Sequence, residues 1–206
     1  MKIERFVLGP VMANCYVVSD NGEAVIIDPG FRSNSVCDYI KENSLKVKMI
    51  LLTHGHFDHI LGAKYFSDKY SAKIAIGEGD KMMPLRRDLN GADRCGLLHY
   101  EPFKADIELK EGDEIKFGSI TFKVIETPGH SPGGLCFYTQ GYLFCGDTVF
   151  KGNIGRADLT GGDFDTLISS IKNKIYALPD DTVIYCGHED NTTVAYEKKN
   201  NYYVRG

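Results

Sequence analysis

Three imidazoles and a carboxylate stand within six residues in His54-Gly55-His56-Phe57-Asp58-His59, a density of ligating side chains that turn or capping chemistry does not require. In extended chain, residues two apart face the same way, so His54 and His56 are placed to grip one ion. The turn that follows aims Asp58 and His59 at a second. Three further candidates each sit beside a glycine just after an apolar run: His130 in Thr127-Pro128-Gly129-His130, Asp147 in Cys145-Gly146-Asp147 and His188 in Cys186-Gly187-His188. His99 alone of the histidines lies outside such a position and is assigned no role. Nitrogen and carboxylate oxygen without thiolate form a borderline-to-hard donor set that suits zinc first, with iron or manganese as alternatives. Two divalent ions in one pocket lower the pKa of a bound water toward neutrality, which gives hydroxide without a separate strong base. The two ions outweigh the charges of Asp58, Asp147 and one hydroxide, so an anionic substrate or a developing oxyanion is stabilised.

The elements that must deliver these residues follow from the periodicity. Short β-type runs at 3–7, 15–18 and 24–27 form a meander that closes on Asp28-Pro29-Gly30. Ser33 or Asn34 caps a short helix carrying Val36, Tyr39 and Ile40. A buried strand at 47–52 then runs straight into the histidine motif. A helix is expected over 60–70 and a strand over 73–76, whereas 80–103 fits no element. The scheme repeats with strands at 114–117, 120–126, 134–138 and 142–145. Asp163 then caps a helix that places Phe164, Leu167, Ile168, Ile171 and Ile175 on one face before Pro179. A last strand at 183–186 and a mostly polar helix at 192–200 complete the chain. The expected class is α/β, with two β-sheets sandwiched between helices in one domain spanning 1–206.

Composition narrows the partners. The net charge of -4 argues against a nucleic-acid grip through a basic surface and favours a small-molecule substrate. Met1-Lys2-Ile3-Glu4-Arg5 carries charges where an export signal needs an apolar run, and no stretch is long enough to span a bilayer, so a cytoplasmic location and no membrane partner are expected. The six cysteines are scattered without a CxxC pair, which fits reduced thiols. Cys145 and Cys186, close to candidate ligands, are read as buried strand-end packing. Oligomeric state is not legible.

Taken together, the pattern His-x-His-x-Asp-His followed by His, Asp and His resembles the metallo-β-lactamase superfamily at every ligand position. Thr53–Gly62, Gly146-Asp147-Thr148-Val149-Phe150 and Pro128-Gly129-His130-Ser131-Pro132-Gly133 are similar to glyoxalase II, the hydroxyacylglutathione hydrolase. Ile154-Gly155-Arg156-Ala157-Asp158-Leu159, with Gly162-Asp163 and Leu178-Pro179-Asp180, resembles its short single-domain subgroup. The resemblance implies a four-layer αβ/βα sandwich of two mixed sheets flanked by helices. It implies that His54, His56 and His130 hold one metal and Asp58, His59 and His188 the other, with Asp147 as the bridge and Asp58 and Asp147 essential to catalysis. It also implies hydrolysis of 2-hydroxyacyl thioesters such as a D-lactoyl thioester, and a role for Arg156 against a substrate carboxylate. A thiolate, with a pKa of about 8.5, leaves with little protonation, which suits a site with no evident general acid. Two departures bear on the thiol carrier. Glu189-Asp190 follows His188 where two-domain glyoxalase II enzymes place a tyrosine, and the helical glutathione-binding domain of those enzymes is expected to be absent. The rival readings are a mononuclear iron enzyme resembling persulfide dioxygenase, with two His and one Asp on the iron, and another hydrolase of the superfamily such as a lactonase or β-lactamase.

Overall fold

Alternating short apolar strands and amphipathic helices organise the chain into four layers. The computed structural model describes residues 1–97 and 100–206; the expectation for His99 falls outside them. The first sheet opens as an antiparallel meander, β1 (Lys2–Leu8), β2 (Ala13–Asp20) and β3 (Glu23–Ile27). It continues with three parallel strands, β4 (Lys46–Leu51), β5 (Lys73–Gly77) and β6 (Ile107–Leu109), in the order β1-β2-β3-β4-β5-β6. Helices cover its outer face. They are α1 (Asn34–Glu42), capped by the Ser33 hydroxyl accepting from Val36 N–H at 3.3 Å, the single turn α2 (Phe57–Ile60), and α3 (Ala63–Tyr70).

The second sheet follows the order β14-β13-β10-β9-β8-β7, built from β7 (Glu114–Phe117), β8 (Ile120–Glu126), β9 (Leu135–Thr139), β10 (Tyr142–Gly146), β13 (Val183–Cys186) and β14 (Thr192–Thr193). A small ribbon, β11 (Val149–Phe150) with β12 (Asn153–Ile154), follows the end of β10. The outer face of this sheet is covered by α5 (Phe164–Ser170), its π-helical extension Ile171–Ile175, and α6 (Val194–Asn200).

Three apolar layers hold these four together. Val36, Ile40 and Phe66 pack on one face of the first sheet, and Leu167, Ile171, Ile175 and Val194 pack on the outer face of the second. Between the sheets, Val18, Val25 and Ile27 meet Phe117, Phe122, Phe137 and Phe144. This is the four-layer αβ/βα sandwich expected from the resemblance. Among the described residues no helix is long and apolar enough to cross a membrane.

The structure corrects three expectations. The helix expected over 60–70 starts at Phe57 and breaks at Gly62, whose N–H donates to the Pro29 carbonyl at 2.8 Å, so a turn rather than a continuous helix carries Asp58 and His59. The segment at 80–103 contains a 3₁₀ turn, Met83–Leu85, and one helical turn, α4 (Arg87–Asn90), ended by Gly91 at φ 83°. Such short pieces leave no periodicity to read. Phe164, assigned to the buried face of its helix, is 49% exposed. It is the first helical residue after the Asp163 cap, while Leu167, Ile171 and Ile175 form the face that packs.

Phe122 is fully buried, with Phe117, Phe137 and Phe144 at ring-centroid distances of 5.4, 6.2 and 5.6 Å. Phe122→Ala is expected to cost about 3–5 kcal/mol in denaturant unfolding, and Phe164→Ala less than about 0.5 kcal/mol.

Candidate metal centre

The strands of both sheets end at one edge, and the candidate residues lie on the loops they release there. β4 releases His54, His56, Asp58 and His59. The turn after β8 carries His130, β10 ends beside Asp147, and β13 ends two residues before His188. The last two are brought together by parallel pairing with a bulge after Phe144, so that Gly146 lies opposite Cys186 and Gly187 N–H donates to the Gly146 carbonyl at 2.7 Å. A glycine is required at 187, because a Cβ there would stand 2.1 Å from Asp147 Oδ1.

The side chains form two groups. The ligating atoms of His54, His56 and His130 lie within 4.8 Å of one another, as do those of Asp58, His59 and His188. Asp147 lies between them, with Oδ1 3.4 Å from His59 Nε2 and Oδ2 3.6 Å from both His130 Nε2 and His188 Nε2. All seven residues proposed from the sequence therefore come to one place.

Hydrogen bonds on the far side of the His54, His59 and His130 rings decide which nitrogen faces inward. His130 Nδ1 donates to the Arg156 carbonyl at 2.7 Å, leaving Nε2 bare, 2.8 Å from His56 Nδ1. The Thr53 hydroxyl donates to Asp28 Oδ2 and so accepts from His54 Nδ1 at 3.0 Å. His54 Nε2 is consequently an acceptor, buried and, among the described residues, without a hydrogen-bond partner, and Asp147 Oδ1 is in the same state. His59 Nδ1 donates to Asp28 Oδ2 at 3.1 Å, which turns its Nε2 toward His188 Nε2 at 3.3 Å and Asp58 Oδ2 at 3.6 Å. Acceptors converging in a buried pocket are completed by a cation, or by protons shared between them. The donor set, neutral imidazole plus carboxylate, fits divalent metal.

The two groups differ electrostatically. Burial, reinforced by His130, pushes His56 down to about 3, and burial with His59 and His130 drives His54 well below the usual imidazole range. These rings stay neutral, as ligands must. At His59, burial acts downward but Asp147, Asp58 and Asp28 outweigh it and lift the ring to about 10; at His188, burial also acts downward, and the hydrogen bond to Asp58 together with the charges of Asp147 and Asp58 outweighs it. Burial acts upward on Asp58, yet His59 and His188 hold it far below the ordinary carboxylate range. Protons can thus occupy the carboxylate-rich group until a cation displaces them.

Two buried acids outside the seven candidates hold this arrangement. Asp28 accepts from Thr53 N–H at 2.7 Å, from the Thr53 hydroxyl and from His59. Asp80 accepts from Gly55 N–H at 3.0 Å, Ser131 Oγ at 2.6 Å and Gly133 N–H at 2.6 Å, tying the His54 loop to the His130 loop. Asp28 follows an apolar strand just as the candidate ligands do, and that signal could have found it. Asp80 opens the stretch without periodicity, which carried none.

The centre opens into a cavity of about 780 Å³. Val7, Met12, Phe57, Phe150 and Leu159 line its sides, and Arg156 stands at its rim. The Arg156 side chain is exposed and forked onto Asp158, with Nε and Nη2 each 2.8 Å from a carboxylate oxygen. Cys145 and Cys186 are buried, and burial pushes the Cys145 thiol well up.

The sequence profile described as the Metallo-beta-lactamase superfamily matches residues 8–188. The hydroxyacylglutathione hydrolase GloC of Haemophilus influenzae is 36% identical, with 98% of this chain and 97% of GloC covered. Among solved structures, BLEG-1, described as a B3 metallo-beta-lactamase, superposes with a TM-score of 0.92 at 37% identity over 100% of both chains. TTHA1623, solved in a di-iron-bound form, superposes with a TM-score of 0.86 at 31% identity over 98% of this chain and 100% of its own. The match over most of the chain, together with the convergent histidines and aspartates, means that this protein belongs to the metallo-β-lactamase superfamily of metallo-hydrolases.

Proposed function

We propose that the protein is a dinuclear metal-dependent hydrolase of 2-hydroxyacyl thioesters, of the hydroxyacylglutathione hydrolase type, acting on a small molecule in the cytoplasm. The observation that carries the reading is the pair of three-ligand groups with Asp147 between them. In this reading His54, His56 and His130 hold one ion, Asp58, His59 and His188 hold the second, and Asp147 bridges them. Zinc is the first candidate, and the di-iron form of TTHA1623 keeps iron in view. Six free thiols, four of them buried, suit a reducing compartment.

Bound divalent ions would supply Lewis acidity to the scissile carbonyl and an activated water beside it. The rest falls to the chain. Arg156 O and Asp28 lock the rings of His130 and His59, so the centre is organised before substrate arrives. Thioester chemistry is favoured by what lines the cavity. Among the described residues the lining has no lysine or tyrosine, its carboxyls outside the proposed ligands, Glu189 and Asp190, are exposed, and the segment at 80–103 contributes Leu89, Asn90, Gly91, Arg94 and Cys95 without adding a carboxyl. An amine leaving group would need a proton donor there; a thiolate departs without one. GloC, similar along nearly its whole length, carries the same reaction in its name. Arg156 is assigned to the substrate carboxylate, with Asp158 holding the guanidinium at the rim until an anion competes for it.

A second reading, hydrolysis of a β-lactam, is favoured by the likeness to BLEG-1. A chromogenic cephalosporin assayed beside S-D-lactoylglutathione decides between them: the thioesterase reading requires faster turnover of the thioester. That turnover is expected to vanish with a chelator and return with zinc. One iron per chain with oxygen uptake on glutathione persulfide would instead identify a dioxygenase.

Asp147→Ala is expected to lower kcat/KM for the thioester by at least about a hundredfold, since metal stabilisation of the transition state is worth several kcal/mol; an active variant would refute the bridging role. Arg156→Ala is expected to raise KM about fivefold with kcat little changed, the size of one exposed ionic hydrogen bond of about 1 kcal/mol. An unchanged KM would remove Arg156 from substrate binding.

A further inference from the structure

Like His54, His56, His130 and Asp147, His188 lies on a loop between elements, so its position depends on what holds that loop. It follows the end of β13, and the next residue, Glu189, sits in the left-handed region at φ 60°. Beyond the Gly187 N–H bond to the Gly146 carbonyl within its own sheet, what fixes this turn comes from the other sheet. The buried side chain of Asn14, on β2, spends both amide hydrogens on it: Nδ2 donates to the Cys186 carbonyl and to the Glu189 carbonyl, each at 2.9 Å. Asn14 N–H donates to the Gly187 carbonyl at 2.7 Å. Two neighbours reinforce the strap, the Tyr16 hydroxyl on Cys186 O at 2.6 Å and Arg5 Nη1 on Glu189 O at 2.9 Å. The carbonyls on both sides of His188 are therefore held by donors from β1 and β2, and Asn14 alone spans the residue.

We infer that Asn14 is a positioning residue for His188, setting the affinity of the Asp58–His59–His188 group for its cation without touching that cation. The inference rests on the two-ion reading above. His54, His56 and His130 receive no hydrogen bond from Asn14, so its loss should spare their ion. Removing a group that orients a ligand typically weakens metal binding 10–100-fold. Aspartate at position 14 keeps the shape of asparagine but not the two donors, and its charge opposes both carbonyls.

The test is a cobalt(II) titration of metal-free wild-type, Asn14→Ala, Asn14→Asp and His188→Ala proteins. It is followed by visible absorption and by ions bound per chain, with Tm measured on the same metal-free samples. Both Asn14 variants are expected to hold the first ion as the wild type does, to bind the second about 10–100-fold more weakly, and to give the spectrum of His188→Ala at one equivalent, with Tm close to that of the wild type in Asn14→Ala and lowered in Asn14→Asp by its buried charge. Wild-type affinity at both positions would overturn the inference. So would loss of both ions where His188→Ala keeps one, or unfolding of both variants, since Asn14 would then hold the fold rather than His188. If the wild type binds one ion, the two-ion reading fails by itself. Asn14 is still judged by whether its variants copy His188→Ala.

Discussion

Imidazole nitrogens and carboxylate oxygens brought within about 4 Å of one another in a buried pocket repel unless positive charge lies among them, and the centre is organised around that constraint. Among the described residues His54 Nε2 and Asp147 Oδ1 have no hydrogen-bond partner, and His59 Nε2 faces His188, Asp58 and Asp147 together. Leaving such groups uncompensated costs several kcal/mol each. The surrounding structure is what prevents relaxation. Asp28 takes three donors from the β4 end, Asp80 takes three from two loops, and the Arg156 carbonyl fixes His130. Each of these bonds turns a ligating atom inward and closes the alternative of turning it to solvent. The fold thereby spends backbone and carboxylate hydrogen bonds on a geometry stable only with a cation, or protons, at its centre.

The two sheets explain how so few residues suffice. Parallel strands buried on both faces place their loops at one edge, and in each sheet that edge releases ligands. The sheets are locked face to face by the Phe117, Phe122, Phe137 and Phe144 layer. The spacing between the β4 loop and the β10 and β13 ends is therefore set by core packing rather than by the loops themselves. Glycines at the strand ends let the loops approach, most tightly at Gly187 against Asp147.

Much of this is legible in the sequence because ligands and strands announce themselves by residue type and period. The strands at 114–117, 120–126 and 183–186 match β7, β8 and β13 to the residue, and the Ser33 and Asp163 caps lie where side-chain chemistry put them. The seven ligand candidates share a visible pattern, a polar residue just past an apolar strand. What escaped notice depends on tertiary contact. Asp80 earns its role from partners at Gly55, Ser131 and Gly133, far apart in sequence, and nothing near it repeats. Asp28 looked like part of a Pro-Gly turn. The break at Gly62 follows from its bond to Pro29 O, and the exposure of Phe164 from its place at the first residue of α5. β6 has only three residues, too few for alternation to register.

On the proposed reading, two cations sit among these seven side chains. Anomalous diffraction from crystals of the metal-loaded protein tests it most directly. Two peaks are expected, one among His54, His56 and His130 and one among Asp58, His59 and His188, with Asp147 between them. A single peak confined to one group, or metal bound elsewhere with both groups lacking it, would contradict the claim.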